Sequence, residues 1–170
     1  ELYNYCLSKD LVCFASIFNE SGFDILSKFS REHIKIPSLE AYDMNIIKKS
    51  LDNFENVLLS TGALQYDELK KIEDFKNCEN LTVLHCVSSY PLEYENSNFS
   101  KFFYLKDRFK KVGYSGHCKG VDDAIFAISN GAVAVEKHFT SDNDLPGRDN
   151  KFAILKAVSY THLTLPTISD

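Results

Sequence analysis

Two histidines stand where neighbouring strands of a parallel sheet would end. His117 follows the apolar run VGYSG, and His138 follows VAVEK. Because the carboxyl ends of such strands meet at one edge, both imidazoles could bind one divalent metal through neutral ring nitrogens and leave positions open for a substrate. Histidine is also common near strand ends as a hydrogen-bonded structural residue, so spacing alone leaves both interpretations open.

A lysine and several serines lie at the ends of other apolar runs. They are Lys35 and Ser38 in KIPS, Ser60 in LLSTG and Ser115 in GYS. An ammonium group and hydroxyls at successive strand ends suit a bound carboxylate or phosphate. Any one serine could instead cap the helix that follows it, but Lys35 is flanked by isoleucines and its charge needs a partner. The pattern therefore predicts an anion site.

Two carboxylates could transfer a proton near these residues. Glu40 comes just after the KIPS run, whereas Glu136 is followed directly by Lys137 and could form a structural ion pair with it. We therefore expect Glu40 to be the catalytic carboxylate. His85 lies inside a run rather than after it, so we predict a hydrogen-bonded core residue.

Six short apolar runs predict strands, and segments with helical spacing separate them. The predicted strands cover residues 11–17, 33–37, 57–60, 81–87, 111–114 and 132–136; the predicted helices cover 22–29, 44–51, 66–75, 99–109 and 121–128. This alternation is typical of a parallel sheet with right-handed crossovers. No G-x-G-x-x-G or Walker pattern follows any strand, which favours a barrel over a Rossmann or flavodoxin-like sheet.

The number of βα units indicates how much of a barrel the chain contains. Six units predict an incomplete (β/α)₈ TIM barrel over residues 1–157, about six of the eight βα units, with two strands missing on the N-terminal side. Residues 158–170 (VSYTHLTLPTISD) break the rhythm and resemble translated sequencing-adapter DNA, so we predict a tail without function.

Charge and cysteine content exclude several classes of partner. A net charge of -5 disfavours nucleic acid and anionic membranes, which leaves a small molecule as the expected partner. The five cysteines form no C-x-x-C pair, and Cys86 and Cys118 lack a Cys-His signature, so reduced, buried thiols in the cytoplasm are expected. No apolar stretch approaches the roughly 20 residues of a membrane helix.

The order of the motifs points to a known family. FASIF, KIPSLE, LLSTGA, LHCVSSYP, VGYSGH, EKHFT and LPGRD follow one another at intervals of one strand. From about residue 2 to residue 157 the chain resembles the sialic acid (N-acetylneuraminate) synthase family, over the third to eighth strands of that family's barrel. The resemblance implies an enzyme that uses Mn²⁺ or Mg²⁺ and condenses phosphoenolpyruvate with N-acetylmannosamine or a related amino sugar, giving a nonulosonic acid and phosphate.

The resemblance also assigns roles to individual residues. It implies that His117 and His138 are metal ligands and that Glu40 is the acid near the reacting carbons. It implies phosphoenolpyruvate contacts at Lys35, Ser38, Ser60 and Ser115, with Ser88 at the same pocket. Tyr90 and Asp149 are the implied sugar contacts. For the complete chain the resemblance implies a homodimer. A 3-deoxy-sugar-acid synthase, a spore-coat polysaccharide enzyme and a non-catalytic barrel fragment are the alternatives.

Several positions depart from the family pattern. Leu39 replaces a small glycine, Gly116 stands where many members have the aspartate of S-D-H, Ser88 replaces an asparagine, and Arg148 has no assigned role. The family's first-strand glutamate, its second-strand lysine and the arginine of its C-terminal antifreeze-like domain are not in the sequence. We therefore expect the chain alone to be inactive and, because its strand edges lack neighbours, prone to aggregate.

Overall fold

The computed structural model describes residues 1–159, so most of the predicted tail lies outside the described residues. The chain divides into two compact units. The first comprises residues 1–83 and 108–111, and the second comprises residues 84–107 and the chain from 112 onward. Each unit alternates strands with helices, as the sequence predicts.

The first unit begins with two short helices and continues as alternating strands and helices. Its elements are α1 (Leu2–Leu7), α2 (Glu20–Leu26), β1 (His33–Ile36), α3 (Met44–Asn53), β2 (Asn56–Ser60), α4 (Tyr66–Ile72) and the first half of β3 (Leu81–Cys86). β1 and β2 are parallel, with Ile36 opposite Leu59. Side chains of Asn19 and Asp43 accept hydrogen bonds from backbone N–H groups in the first turns of α2 and α3, which explains where these helices begin.

The second unit contains the rest of β3 and the remaining elements. They are α5 (Phe99–Lys106), β4 (Val112–Gly116), α6 (Asp122–Ser129), β5 (Val135–Lys137), β6 (Phe139–Thr140), β7 (Ile154–Leu155) and α7 (Lys156–Val158). β4 and β5 are parallel, with Ser115 opposite Glu136 and Gly116 opposite Lys137. This register places the two serially adjacent strand ends, and the histidines that follow them, side by side.

The five longer strands form one sheet in the order β1-β2-β3-β4-β5, and β6 pairs separately with β7. An α/β fold with a parallel sheet is therefore confirmed, whereas the number of barrel units stays a prediction. None of the helices within residues 1–159 is both long and apolar enough to cross a membrane.

The predicted strand over residues 11–17 is wrong in extent. Only Ser16 forms a bridge, with Lys35, through hydrogen bonds from the Lys35 N–H to the Ala15 carbonyl (3.2 Å) and from the Ile17 N–H to the Lys35 carbonyl (3.0 Å). Leu11 is 59% exposed. An apolar run extends as a strand only where neighbours bury it, and most of this run has none in the described residues.

Candidate functional site

His117 directly follows β4 and is almost fully buried. Its Nδ1 lies 2.7 Å from the carbonyl oxygen of Val87, so Nδ1–H donates to the backbone and the basic lone pair is on Nε2. A ligating histidine usually donates its second ring N–H to a carbonyl or carboxylate, because that bond fixes the tautomer and the ring orientation. The His117 ring therefore has the geometry of a metal ligand.

His138 directly follows β5, and its ring lies 5.5 Å from the His117 ring, centroid to centroid. Its Nδ1 lies 3.6 Å from Oδ2 of Asp149, and the ring packs edge-on against Phe152 at 5.0 Å. The distance to Asp149 is longer than a hydrogen bond, so the carboxylate is a charged neighbour of the ring. The structure thus brings together the two histidines that the sequence placed at neighbouring strand ends.

Tyr90 covers the histidine pair. Its ring lies 4.1 Å from the His117 ring and 5.9 Å from the His138 ring. Burial, and to a smaller extent neighbouring groups that include the Glu136 and Asp149 carboxylates, raise the pKa of the Tyr90 phenol, so the hydroxyl stays a hydrogen-bond donor at neutral pH.

Arg148, whose charge the sequence left without a role, supports the same loop. Its Nη2 donates to the Tyr90 carbonyl oxygen at 3.2 Å. The guanidinium therefore connects the loop that carries Asp149 to the loop that carries Tyr90. No sequence signal identified this bond, because the two residues are far apart in the chain.

The histidine pair fits a divalent metal as two of its ligands. Imidazole nitrogens bind such ions at about 2 Å, and rings 5.5 Å apart can both reach one ion. Within residues 1–159, no group of three or more His, Cys, Asp or Glu side chains is arranged to hold a metal. Water or substrate oxygens could fill further positions of such an ion, as at catalytic metal sites.

The predicted anion contacts of the first unit lie at the ends of β1 and β2. Ser38 Oγ accepts a hydrogen bond from the Gly62 N–H at 2.9 Å, which joins the two strand ends. Ser60 is 3% exposed, and its Oγ has no hydrogen-bond partner among the described residues. A buried hydroxyl without a partner is unusual in a folded protein and suits a bound ligand oxygen.

The other predicted residues of the first unit are partly exposed. Lys35 is half-buried on β1, whereas Ile34 and Ile36 on either side of it are fully buried, so its ammonium leaves the strand on the opposite face. Glu40 is half-buried at the end of a 3₁₀ turn, Ser38–Glu40. In the second unit, Ser115 is buried within β4, and Ser88 is exposed after β3.

The suggested ion pair between Glu136 and Lys137 is wrong. Lys137 Nζ instead lies 3.1 Å from both carboxylate oxygens of Asp123 and donates to the Cys118 carbonyl oxygen at 2.8 Å. Adjacent residues of a strand point to opposite faces, so Glu136 and Lys137 cannot meet easily. The alternation of a strand was the signal that could have indicated this.

Three residues that the sequence assigned to the core are buried there. His85 is fully buried, and its Nε2 lies 2.8 Å from the Ser97 carbonyl oxygen. Cys86 and Cys118 are also buried. Burial, and then the Asp123 carboxylate, raise the pKa of the Cys118 thiol to about 12, which excludes a thiolate nucleophile at neutral pH.

Known proteins match this arrangement over nearly the whole chain. The NeuB family model matches residues 1–161. The chain belongs to the NeuB family. This confirms the resemblance predicted from the order of the motifs, because relatives in the family include sialic, pseudaminic and legionaminic acid synthases.

Two curated relatives come from Campylobacter jejuni. The N,N'-diacetyllegionaminic acid synthase is 30% identical over 91% of this chain and 48% of its own length. The pseudaminic acid synthase is 32% identical over 91% of this chain and 46% of its own length. This NeuB-family chain therefore spans about half the length of the curated relatives it matches.

A solved structure also matches the chain. The N-acetylneuraminic acid (sialic acid) synthetase from Leptospira borgpetersenii serovar Hardjo-bovis, in complex with citrate, aligns with a TM-score of 0.83 and 30% identity. The alignment covers 92% of this chain and 56% of that one. The NeuB-family chain thus has the fold of a sialic acid synthase over the part that it covers.

Proposed function

We propose that this chain is the barrel part of a synthase that condenses phosphoenolpyruvate with an N-acylated amino sugar. Carbon 3 of phosphoenolpyruvate would attack the aldehyde carbon of the open-chain sugar, water would add at carbon 2, and phosphate would leave. The names of the relatives support this class of reaction, since each NeuB-family synthase above makes a sialic-type acid.

The single observation that carries the proposal is the histidine pair of the second unit. His117 and His138 lie 5.5 Å apart, and Val87 and Asp149 respectively stand beside their Nδ1 atoms. These residues would hold Mn²⁺ or Mg²⁺, which when bound supplies a Lewis acid for the sugar aldehyde. The protein's own contribution is to hold the two imidazoles in position beside each other.

The serines and the lysine would bind phosphoenolpyruvate. In the first unit, Lys35 supplies positive charge, and the Ser38 and Ser60 hydroxyls supply hydrogen bonds to carboxylate or phosphate oxygens. The unpartnered, buried Ser60 Oγ supports this role. In the second unit, Ser88 and Ser115 are the proposed contacts of the same substrate.

The sugar would bind through residues around the histidine pair. The Tyr90 hydroxyl stays protonated and can donate to a sugar oxygen, and the exposed Asp149 carboxylate can accept from a sugar hydroxyl. Glu40 is the proposed proton-transfer group of the first unit. The relatives are named for different sugars at similar identity, so the choice between N-acetylmannosamine and a legionaminic or pseudaminic acid precursor rests on pocket side chains.

Binding of Mn²⁺ tests this proposal. We expect the unsubstituted chain to remove the electron paramagnetic resonance signal of free Mn²⁺, and His117→Ala to abolish that binding, because one imidazole alone is a weak ligand set. His33→Ala is the matched control, since His33 is a histidine of the first unit, on β1, that has no proposed role in metal binding. It should bind as the unsubstituted chain does.

Turnover completes the same test in a protein that contains this sequence and spans the full length of the relatives. Phosphate release from phosphoenolpyruvate should require both an amino sugar and Mn²⁺ or Mg²⁺, and His117→Ala should lower it by at least a hundredfold. Equal turnover of His117→Ala and the unsubstituted protein, or turnover without any amino sugar, would contradict the proposal.

A further inference from the structure

A buried ion pair lies behind the histidines, between strand β5 and helix α6. Lys137 Nζ lies 3.1 Å from both Oδ1 and Oδ2 of Asp123, and the two side chains are 3% and 0% exposed. The Tyr114 hydroxyl donates to Asp123 Oδ2 at 3.1 Å. Each charged group therefore has partners, and none of them belongs to the proposed chemistry.

The same ammonium group is connected to both histidines through the backbone. Lys137 Nζ donates to the carbonyl oxygen of Cys118 at 2.8 Å, and Cys118 is the residue after His117. Lys137 is itself the residue before His138. One side chain thus joins the segment that carries the first ring to the strand that carries the second, so its position affects the distance between the rings.

Gly116 leaves the space in which the Asp123 carboxylate lies. A Cβ atom at residue 116 would lie 2.5 Å from Asp123 Oδ2 and 3.0 Å from Cδ of Lys137. The first distance, and a distance of 2.7 Å to Tyr114 Cε1, are too short unless those side chains shift, whereas Lys137 would have to move by only a few tenths of an ångström. A carboxylate could therefore reach Lys137 from residue 116 or from residue 123, but not from both.

We propose that Asp123 and Lys137 are positioning residues that hold His117 and His138 at the separation a shared ion needs. Asp123 supplies the carboxylate from helix α6, in the space that Gly116 leaves. The inference rests on the proposed function for the identity of the ion, but the placement of the rings does not depend on it.

An apolar replacement of the whole pair tests the positioning role without unpaired charge. Replacing a buried ion pair with apolar residues of similar size is often neutral for stability. The double variant Asp123→Leu/Lys137→Met should therefore unfold at a urea concentration close to that of the unsubstituted chain. We expect its Mn²⁺ affinity to fall by about 10- to 100-fold, the usual effect of losing residues that orient ligands.

Nuclear magnetic resonance of the histidine rings gives a readout that needs no metal. In ¹H–¹⁵N spectra of the metal-free 170-residue chain, the double variant should shift the ring signals of His117 and His138 and leave those of His33 unchanged. Asp122→Asn is the matched control, because Asp122 is an exposed neighbour of Asp123 in the first turn of α6. It should leave all ring signals in place.

Moving the carboxylate tests the role of Gly116. Asp123→Ala should shift the His117 and His138 ring signals, and the double variant Gly116→Asp/Asp123→Ala should return them toward their original positions and restore Mn²⁺ affinity. A general loss of packing would not be rescued by a carboxylate at residue 116.

The two proposals fail in different ways. Suppose that neither the unsubstituted chain nor any variant binds Mn²⁺, but Asp123→Ala shifts the histidine ring signals and Gly116→Asp/Asp123→Ala restores them. The metal function is then wrong, and the positioning role stands. If Asp123→Leu/Lys137→Met leaves the ring signals unchanged, or Gly116→Asp/Asp123→Ala behaves like Asp123→Ala, the positioning role is wrong.

Discussion

Strands β4 and β5 have two faces with different chemistry. The helix-covered face carries Tyr114, Gly116 and Lys137, which contact helix α6 through Asp123. The site face carries Ser115 and Glu136, which are paired in the register of the two strands and precede His117 and His138. The alternation of a strand assigns neighbouring residues to opposite faces, so both kinds of chemistry occupy the same short segments.

The two faces differ in the property that a substitution on each should change. On the helix-covered face the charged and polar groups bind one another, and their burial makes each bond costly to break. On the site face the Val87 carbonyl accepts from His117 Nδ1 and orients that ring, and the Asp149 carboxylate lies 3.6 Å from His138 Nδ1. A single substitution that leaves a charge unpaired on the first face should therefore lower mainly stability, whereas a substitution of a histidine on the second face should lower mainly ligand binding.

The largest expected effect of a single substitution is that of Lys137→Ala. It leaves the Asp123 carboxylate buried without its cation, which typically costs about 3–5 kcal/mol. We expect that loss in the free energy of unfolding, measured by urea denaturation followed by circular dichroism.

Glu136→Gln is the control for Lys137→Ala, because it changes the neighbouring charge on the site face. Glu136 is half-buried, so a smaller loss is expected. If both variants lost the same stability, the two faces would not differ as described.

The strands of this sheet could be predicted because each is a short apolar run. Runs of this kind at β1 to β5 lie within a few residues of the observed strands. The run over residues 11–17 is also short and apolar, but it forms only the Ser16 bridge. Composition gives a propensity for extended chain, whereas a strand also needs neighbours on both sides, which lie elsewhere in the sequence.

The candidate site could be predicted in part for a similar reason. Parallel strands end at one edge of a sheet. The position of His117 and His138 after consecutive strands was therefore enough to predict that their side chains lie close together. The partner of Lys137 could not be found in this way, because Asp123 lies in another element and nothing local identifies it. The roles of Glu40, Ser88 and the other substrate contacts stay predictions.

The second-largest change in stability is expected from the protonation of His85, which packs against helix α5. Burial lowers the pKa of its imidazole to about 4; the Ser97 carbonyl opposes this shift, and the nearby Lys101 charge adds to it. Phe99, Phe102 and Tyr114 surround the ring. The folded chain therefore keeps His85 neutral at a pH where the unfolded chain binds a proton.

The sign of the pH dependence follows from that difference. The unfolded state binds more protons between about pH 6.5 and pH 4, so stability is present above pH 6.5 and is lost as the pH falls. A shift from 6.5 to about 4 corresponds to about 3 kcal/mol. His85→Gln, which can still donate to Ser97, should flatten the urea stability profile over this range, and His33→Gln should not. A profile unchanged in His85→Gln would assign the pH dependence to other groups.

The smallest change in stability is expected from alanine substitutions at two glycines, Gly116 in a crowded position and Gly22 in an open one. A Cβ at Gly116 would meet Asp123 Oδ2 at 2.5 Å and Tyr114 Cε1 at 2.7 Å, whereas a Cβ at Gly22 in α2 would meet its neighbours at 3.6 Å or more. Overpacking typically costs about 1–3 kcal/mol, so Gly116→Ala should lose that much stability in urea denaturation. Gly22→Ala should be neutral or gain up to about 1 kcal/mol, because alanine favours a helix. Equal stability of the two variants would mean that the Asp123 carboxylate can move aside, and that the helix-covered face is less rigid than its hydrogen bonds indicate.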